Sequence, residues 1–267
     1  MGNGISVNSN INLVVHKTYI TKERKLPLKY KNFNELVCTK TLKDSDIHEH
    51  QALIICNSYD GTSYALGDPA KNDGVLAYQM LEELGYHCVL YHDCTRSLIL
   101  KTLKKLLESN ADKILVYYIG HGVTKRCTTI NESNNEKYGV DSAMFMMDGE
   151  ILDNELKKIL DNSHKKVSKR RQIRLISDCC HSGTMYDLTE EDYINYDTVS
   201  IGACSDIQTA KQDYICRRGN GIFSYYFWKY YTNDIKLKDL LDKVNEKLQV
   251  YQQKCEASTN YANFKIL

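Results

Sequence analysis

Leu175-Ile176-Ser177-Asp178-Cys179-Cys180-His181-Ser182-Gly183-Thr184 is the stretch whose reading decides the fold. Residues 173–176 are apolar apart from Arg174, which reads as a buried strand, and the small polar residues beyond them mark the change from strand to loop. Open α/β sheets collect their chemistry at such carboxyl ends of strands. Upstream, Ile114-Leu115-Val116-Tyr117-Tyr118-Ile119 is a second apolar run, and it ends in Gly120-His121-Gly122. Two strands that end together, one in Cys and one in His, make a thiol nucleophile with an imidazole base the first reading.

Working outward, residues 52–56 (Ala-Leu-Ile-Ile-Cys) are continuously apolar, as a central strand covered on both faces must be. Val75, Leu76, Met80, Leu81 and Leu84 fall at helical spacing over residues 73–84, after a loop at 61–71 punctuated by Gly61, Gly67 and Pro69. Residues 87–91 predict the next strand. Thr95 predicts the cap of a helix over 96–109 with a leucine stripe, and residues 113–119 the third strand. Strand, helix, strand, helix, strand implies right-handed crossovers and a mostly parallel sheet of about six strands with helices on both faces, a three-layer α/β sandwich. Beyond it, residues 124–140 read as a long polar loop and 143–147 as a short strand. A helix follows over 154–160, capped by Asp153 or Asp148. Residues 199–204 read as a fifth strand, residues through Gly219 and Gly221 as a loop, and 222–231 and 237–251 as helices.

The chain has 267 residues, 42% of them hydrophobic, enough for one generous core. Lys and Arg number 35 against 34 Asp and Glu, which removes any whole-chain argument for nucleic acid. The basic run His164-Lys165-Lys166-Val167-Ser168-Lys169-Arg170-Arg171 reads as a solvated loop. Ten cysteines in a chain of this length, with no apolar leader at its start, read as thiols of a reduced cytoplasmic protein. No apolar run approaches the ~18 residues that span a bilayer. Met1-Gly2-Asn3-Gly4-Ile5-Ser6 fits the N-myristoylation pattern, with Lys17, Lys22, Arg24, Lys25, Lys29 and Lys31 as an electrostatic second anchor. The competing reading is a frayed start and a solvated basic segment. Oligomeric state is not legible.

Tyr118-Ile119-Gly120-His121-Gly122 and Asp178-Cys179-Cys180-His181-Ser182-Gly183 resemble the caspase-like clan and within it the metacaspases, whose motifs read roughly Y-S-G-H-G and D-S-C-H-S-G. The resemblance extends to Asn72-Asp73, to Gly202-Ala203-Cys204-Ser205-Asp206-Ile207-Gln208-Thr209 and to Gly221-Ile222-Phe223-Ser224. It implies a type I-like caspase domain over residues 48–267, without a Pro-rich prodomain and after an extension at 1–47. The large-subunit-like part would cover about 48–187 and the small-subunit-like part about 197–267.

By resemblance the nucleophile is Cys180, the base is His121, and the N–H groups of Cys180 and Gly122 form the oxyanion hole. An imidazole is needed because a thiol of pKa ~8.5 is little ionised at neutral pH. Gly122 suits its role because a side chain there would crowd an amide aimed at substrate. Cys179 stands where the family usually has Ser, and Ile119 where it has another Ser. Asp73 and Asp178 match the acidic S1 pocket, implying protein or peptide substrates with Arg or Lys at P1. Asp153, Asp187 and, less closely, Asp141 match a calcium-binding acidic cluster, with Asn154 replacing a second Asp and lowering the charge.

Three other readings stand beside this one. A non-catalytic caspase-fold binding module would suit Ile119 and Cys179 as marks of a decayed site. An acyl-transferring enzyme would use the same thioester. A zinc site from Cys127, Cys179, Cys180 and His181 has poor ligand spacing. Many relatives are cut in the segment joining the two parts, but residues 184–199 hold five carboxylates and no Lys or Arg. A protease with a basic P1 requirement has nothing to cut there.

Overall fold

The computed structural model describes residue 26 and residues 32–126, 140–215, 218–259 and 266–267. The N-terminal pattern at Gly2, its basic residues and Cys127 lie outside them. In chain order the elements are α1 (Phe33–Leu36), β1 (His50–Cys56), α2 (Asp68–Glu83), β2 (His87–His92), α3 (Arg96–Leu107), β3 (Lys113–Ile119), β4 (Gly122–Arg126), β5 (Val140–Met146), β6 (Gly149–Leu152) and α4 (Asp153–Lys166). They continue with β7 (Gln172–Asp178), α5 (Glu190–Tyr196), β8 (Thr198–Gly202), β9 (Gln212–Ile215), β10 (Arg218–Gly221), α6 (Ile222–Tyr230), α7 (Leu237–Leu248) and β11 (Glu256–Ala257).

Six strands form one sheet in the order β11-β8-β7-β3-β1-β2, parallel except for β11. Side chains alternate across a strand, so both faces of the apolar runs are used. Ile54, Leu115, Tyr117 and Ile176 pack under α2, α6 and α7, while Leu53, Ile55, Val116, Tyr118 and Leu175 pack under α3 and α4. Arg174 is the exception inside β7. It is buried and donates to the carbonyls of Ile266 and Asp197 and to the Asp197 carboxylate, which resolves the charge.

Register places the chemistry. Cys56 pairs with Ile119, Ile119 with Asp178, and Ser177 with Gly202, so the segments after β1, β3, β7 and β8 emerge side by side. The strand order reverses at β1 and β3, and that switch point opens the crevice in which open sheets bind ligands.

Several boundaries differ from expectation, each for a local reason. Helix α2 starts five residues early, at Asp68, because Pro69 sits in its first turn, where a fixed φ and a missing N–H favour the helix. Asp148 does not cap α4. It accepts the N–H of Arg96 at the start of α3, while α4 begins at Asp153 and runs on to Lys166. The loop expected from residue 124 begins instead as β4, which joins β5 and β6 in an antiparallel meander. The stretch before α6 contains a hairpin of β9 and β10, and α7 ends at Leu248 in a 3₁₀ turn. The basic run is not all solvated: His164 is buried in α4 and stacked 4.0 Å from Tyr196, and buried Arg171 donates to the carbonyls of Leu107 and Ser109. Among the described residues no helix is long and apolar enough to cross a membrane.

Candidate active site

Gly122 opens β4 against the turn after β7, and a Cβ on it would overlap the carbonyl of Cys180. That contact brings the His121 and Cys180 segments together. Cys180 is half-buried at the start of the turn, whereas Cys179 is buried with Leu175 and Tyr118. Of the adjacent thiols only Cys180 lines the pocket beside them, a cavity of 210 Å³.

His121 is held from several sides. Its Nε2 lies 2.7 Å from the carbonyl of Tyr64, and since a carbonyl only accepts, Nε2 carries the proton and the ring's basic lone pair is on Nδ1. Its backbone N–H donates to the Tyr59 hydroxyl at 2.8 Å, and its carbonyl accepts from the Tyr118 hydroxyl at 2.7 Å. Gly120 is required between them, because a Cβ there would sit 2.7 Å from both hydroxyls.

At the base of the same cavity lie Asp73 from α2 and Asp178, the last residue of β7. Asp73 accepts from Asn220 Nδ2 at 2.9 Å and the Gly221 N–H at 2.6 Å; Asp178 accepts from the N–H and hydroxyl of Ser224 at 3.1 and 2.6 Å. A Cβ on Gly221 would lie 2.5 Å from one carboxylate and 2.8 Å from the other. Burial is the first cause that raises both acids, Asp178 to about 6 and Asp73 well above the carboxylate range, and the Asp178 charge raises Asp73 further. Ile119 forms an apolar part of the wall, and Lys211 is exposed at the rim. A larger cavity of 910 Å³ lies at the opposite ends of the strands, by Glu49 and Ala111, and no cysteine lines it.

The sequence profile of one family, described as caspase domain, matches residues 49–265. The chain belongs to the caspase-domain family. Caspase-1 of Spodoptera frugiperda has the same fold, with a TM-score of 0.56 at 14% identity over 79% of this chain and 88% of that one. A protein of Geobacter sulfurreducens scores 0.58 at 18% identity over 81% of this chain and 96% of its own. No curated protein sequence matches significantly. The α/β sandwich and the caspase-like resemblance read from the motifs therefore stand, and the chain carries a caspase-fold protease domain.

Within this caspase domain, burial pushes the Cys180 thiol up, opposed by the Ala210 N–H and the Lys211 charge. The acidic positions matched to calcium are not all brought together. Both Asp153 oxygens accept backbone N–H groups, from Ser142 and from Asn154. Asp141 accepts the Asn154 side-chain amide at 3.3 Å. Burial and the neighbouring Asp141 charge push Asp187, half-buried at φ 48°, up to about 6.

Sequence reading missed the residues that fix the site. Among the described residues, the one group of three metal-ligating side chains within 4.8 Å is Asp60, His92 and Asp93, behind Tyr59. Tyr59 and Tyr64 follow β1 at the sheet edge, so the strand-end rule that flagged His121 and Cys180 points to them as well. Ser224 was within the quoted Gly221-Ile222-Phe223-Ser224 segment without a role. His181, at φ 53°, is turned away by Nδ1–H donation to the Asp206 carbonyl.

Proposed function

We propose that this caspase domain is a cysteine endopeptidase of metacaspase type that cleaves after Arg or Lys. The observation that carries the reading is one cavity with a half-exposed thiol and an oriented imidazole at its mouth and two buried carboxylates at its base. Buried carboxylates with only neutral donors call for a cation, which a basic P1 side chain supplies. Ile119 makes the wall apolar and suits the aliphatic stem of that side chain.

In this mechanism His121 Nδ1 takes the Cys180 proton while Nε2–H stays on Tyr64, and the sulfur attacks the scissile carbonyl. The raised thiol pKa means the proton leaves during attack and not beforehand. The N–H groups of Gly122 and Cys180 stabilise the oxyanion. His121 then gives the proton to the departing amine, and water, deprotonated by His121, hydrolyses the thioester and restores the thiol.

Calcium is proposed at Asp141 and Asp187, whose crowded carboxylates it would neutralise, with Asp153 as a further ligand through the lone pairs that its two N–H donors leave open. The ion would tie the segment after Cys180 to β5. A rise in thermal midpoint with Ca²⁺ that is absent from Asp187→Ala supports the site, and full activity in excess chelator rejects a requirement. Turnover of an Arg-P1 fluorogenic peptide by the purified chain, lost in Cys180→Ala, tests the enzyme itself. No turnover with or without Ca²⁺ would favour the binding-module reading.

A further inference from the structure

We propose that Tyr59 is the positioning residue of this site: its ring sets the plane of the His121 imidazole and so keeps Nε2–H on the Tyr64 carbonyl that fixes the tautomer, its hydroxyl holds the His121 backbone, and Asp93 holds Tyr59 in place. The assignment rests on the proposed Cys180–His121 pair. Tyr59 is fully buried, and its ring lies 4.8 Å from the His121 ring at 27°, a stacked arrangement. Its hydroxyl accepts the His121 N–H at 2.8 Å and donates to the Phe145 carbonyl at 2.7 Å. Burial pushes the phenol up to about 12, so it keeps its proton and both bonds at working pH. Tyr118 holds the next peptide unit, donating to the His121 carbonyl. With the ring face set by Tyr59 and Nε2–H on Tyr64, Nδ1 is left toward the thiol.

Tyr59 occupies a conformation that L residues avoid, φ 56°, and something must impose it. Asp93 does so: its Oδ1 accepts the N–H groups of Ser58 and Tyr59, both at 2.8 Å, and its Oδ2 accepts that of Asp60 at 3.1 Å. His92 Nε2 lies 3.3 Å from the same carboxylate, and Ser58 Oγ is 2.7 Å from His92 Nε2. The Asp60, His92 and Asp93 group is thereby accounted for as the clamp on a strained turn. A misplacement of ~1 Å in a reacting group costs about 10² in rate, which sets the scale expected when the turn relaxes.

Tyr59→Phe keeps the stack and removes the hydroxyl; Tyr59→Leu removes both; Asp93→Asn weakens the clamp while keeping one acceptor. The expected losses in kcat are roughly 10-fold, 10²-fold and 3- to 10-fold, with KM within about twofold, because substrate is bound elsewhere. Alkylation of Cys180 by iodoacetamide should slow in the same order. Nitrogen-15 spectra should show His121 as the Nε2–H tautomer in the wild type and Tyr59→Phe, and a tautomer mixture in Tyr59→Leu. Thermal unfolding reports how much of each variant is folded. An unchanged tautomer in Tyr59→Leu, with kcat lost only in proportion to the unfolded fraction, would overturn the assignment. Were the wild type inert toward peptides, the protease reading would fail, and the His121 tautomer would still decide the role of Tyr59.

Discussion

Two carboxylate pairs stand behind the same sheet edge and are treated in opposite ways. Asp60 and Asp93 have cationic or titratable neighbours: Lys71 lies 2.6 Å from Asp60, His92 3.3 Å from Asp93, and three backbone N–H groups converge on Asp93. The Lys71 ammonium holds Asp60 below its usual range. Asp73 and Asp178 receive only neutral donors, from Asn220, Gly221 and Ser224, and burial raises both. The first pair is a finished structural joint, and the second lacks the cation that a substrate can bring. Composition does not separate them. Depth of burial and the identity of the partner do.

The widest difference is expected from substitution. Asp73→Ala or Asp178→Ala should lower kcat/KM toward an Arg-P1 peptide by about 10²–10³, the range for breaking a desolvated charge pair. Asp60→Ala should cost less than about fivefold, since it loses an exposed ion pair. Equal losses at both places, measured on folded protein, would erase the comparison.

Proton linkage sharpens it. The raised pKa of Asp178 means the free protein gains stability below about 4 and loses it as pH rises through about 6. The cation wants the ionised pair, so KM for an Arg-P1 peptide should fall over the same interval. Asp178→Asn should remove its own share of both curves, leaving the stability changes that Asp73 and Asp187 contribute, since burial raises those acids too. Thermal midpoints and KM between pH 5 and 8 check that the fold weakens while substrate binding tightens.

Smaller effects test the neighbourhood. Cys179→Ser should stay within about threefold of wild type, because Cys179 is buried and a volume-conserving change costs little when its hydroxyl finds a partner. No change at all is expected from self-processing in the joining segment. Residues 184–199 offer no basic P1 residue, and the segment is docked: α5 packs there, Asp192 is buried against Lys157, and Arg174 holds Asp197. Fragment sequencing after incubation with Ca²⁺ should find no new N-terminus in that range.

The strands and most of the helices were legible because continuous apolar runs and leucine stripes carry their own period, and Gly120-His121-Gly122 and Cys179-Cys180 announce strand ends. A small residue at position 122 was expected to keep an amide open toward substrate; the clash that its missing Cβ avoids in the structure is with the carbonyl of Cys180. What sequence alone concealed depends on long-range pairing. The turn at Tyr59 is set by Asp93, a residue 34 positions away, and no local pattern marks a strained turn clamped by a distant carboxylate. Asp153 had a further partner that sequence alone does not show: at the start of α4 it accepts the backbone N–H groups of Ser142 and Asn154.

The most direct test of the central claim is the ratio of kcat/KM for two peptides that differ only at P1, Arg against Asp, measured with and without Ca²⁺ beside Cys180→Ala. Arg should lead by at least about 10², from the charge complementarity of Asp73 and Asp178, with both rates abolished in Cys180→Ala. Equal or faster cleavage after Asp would contradict it.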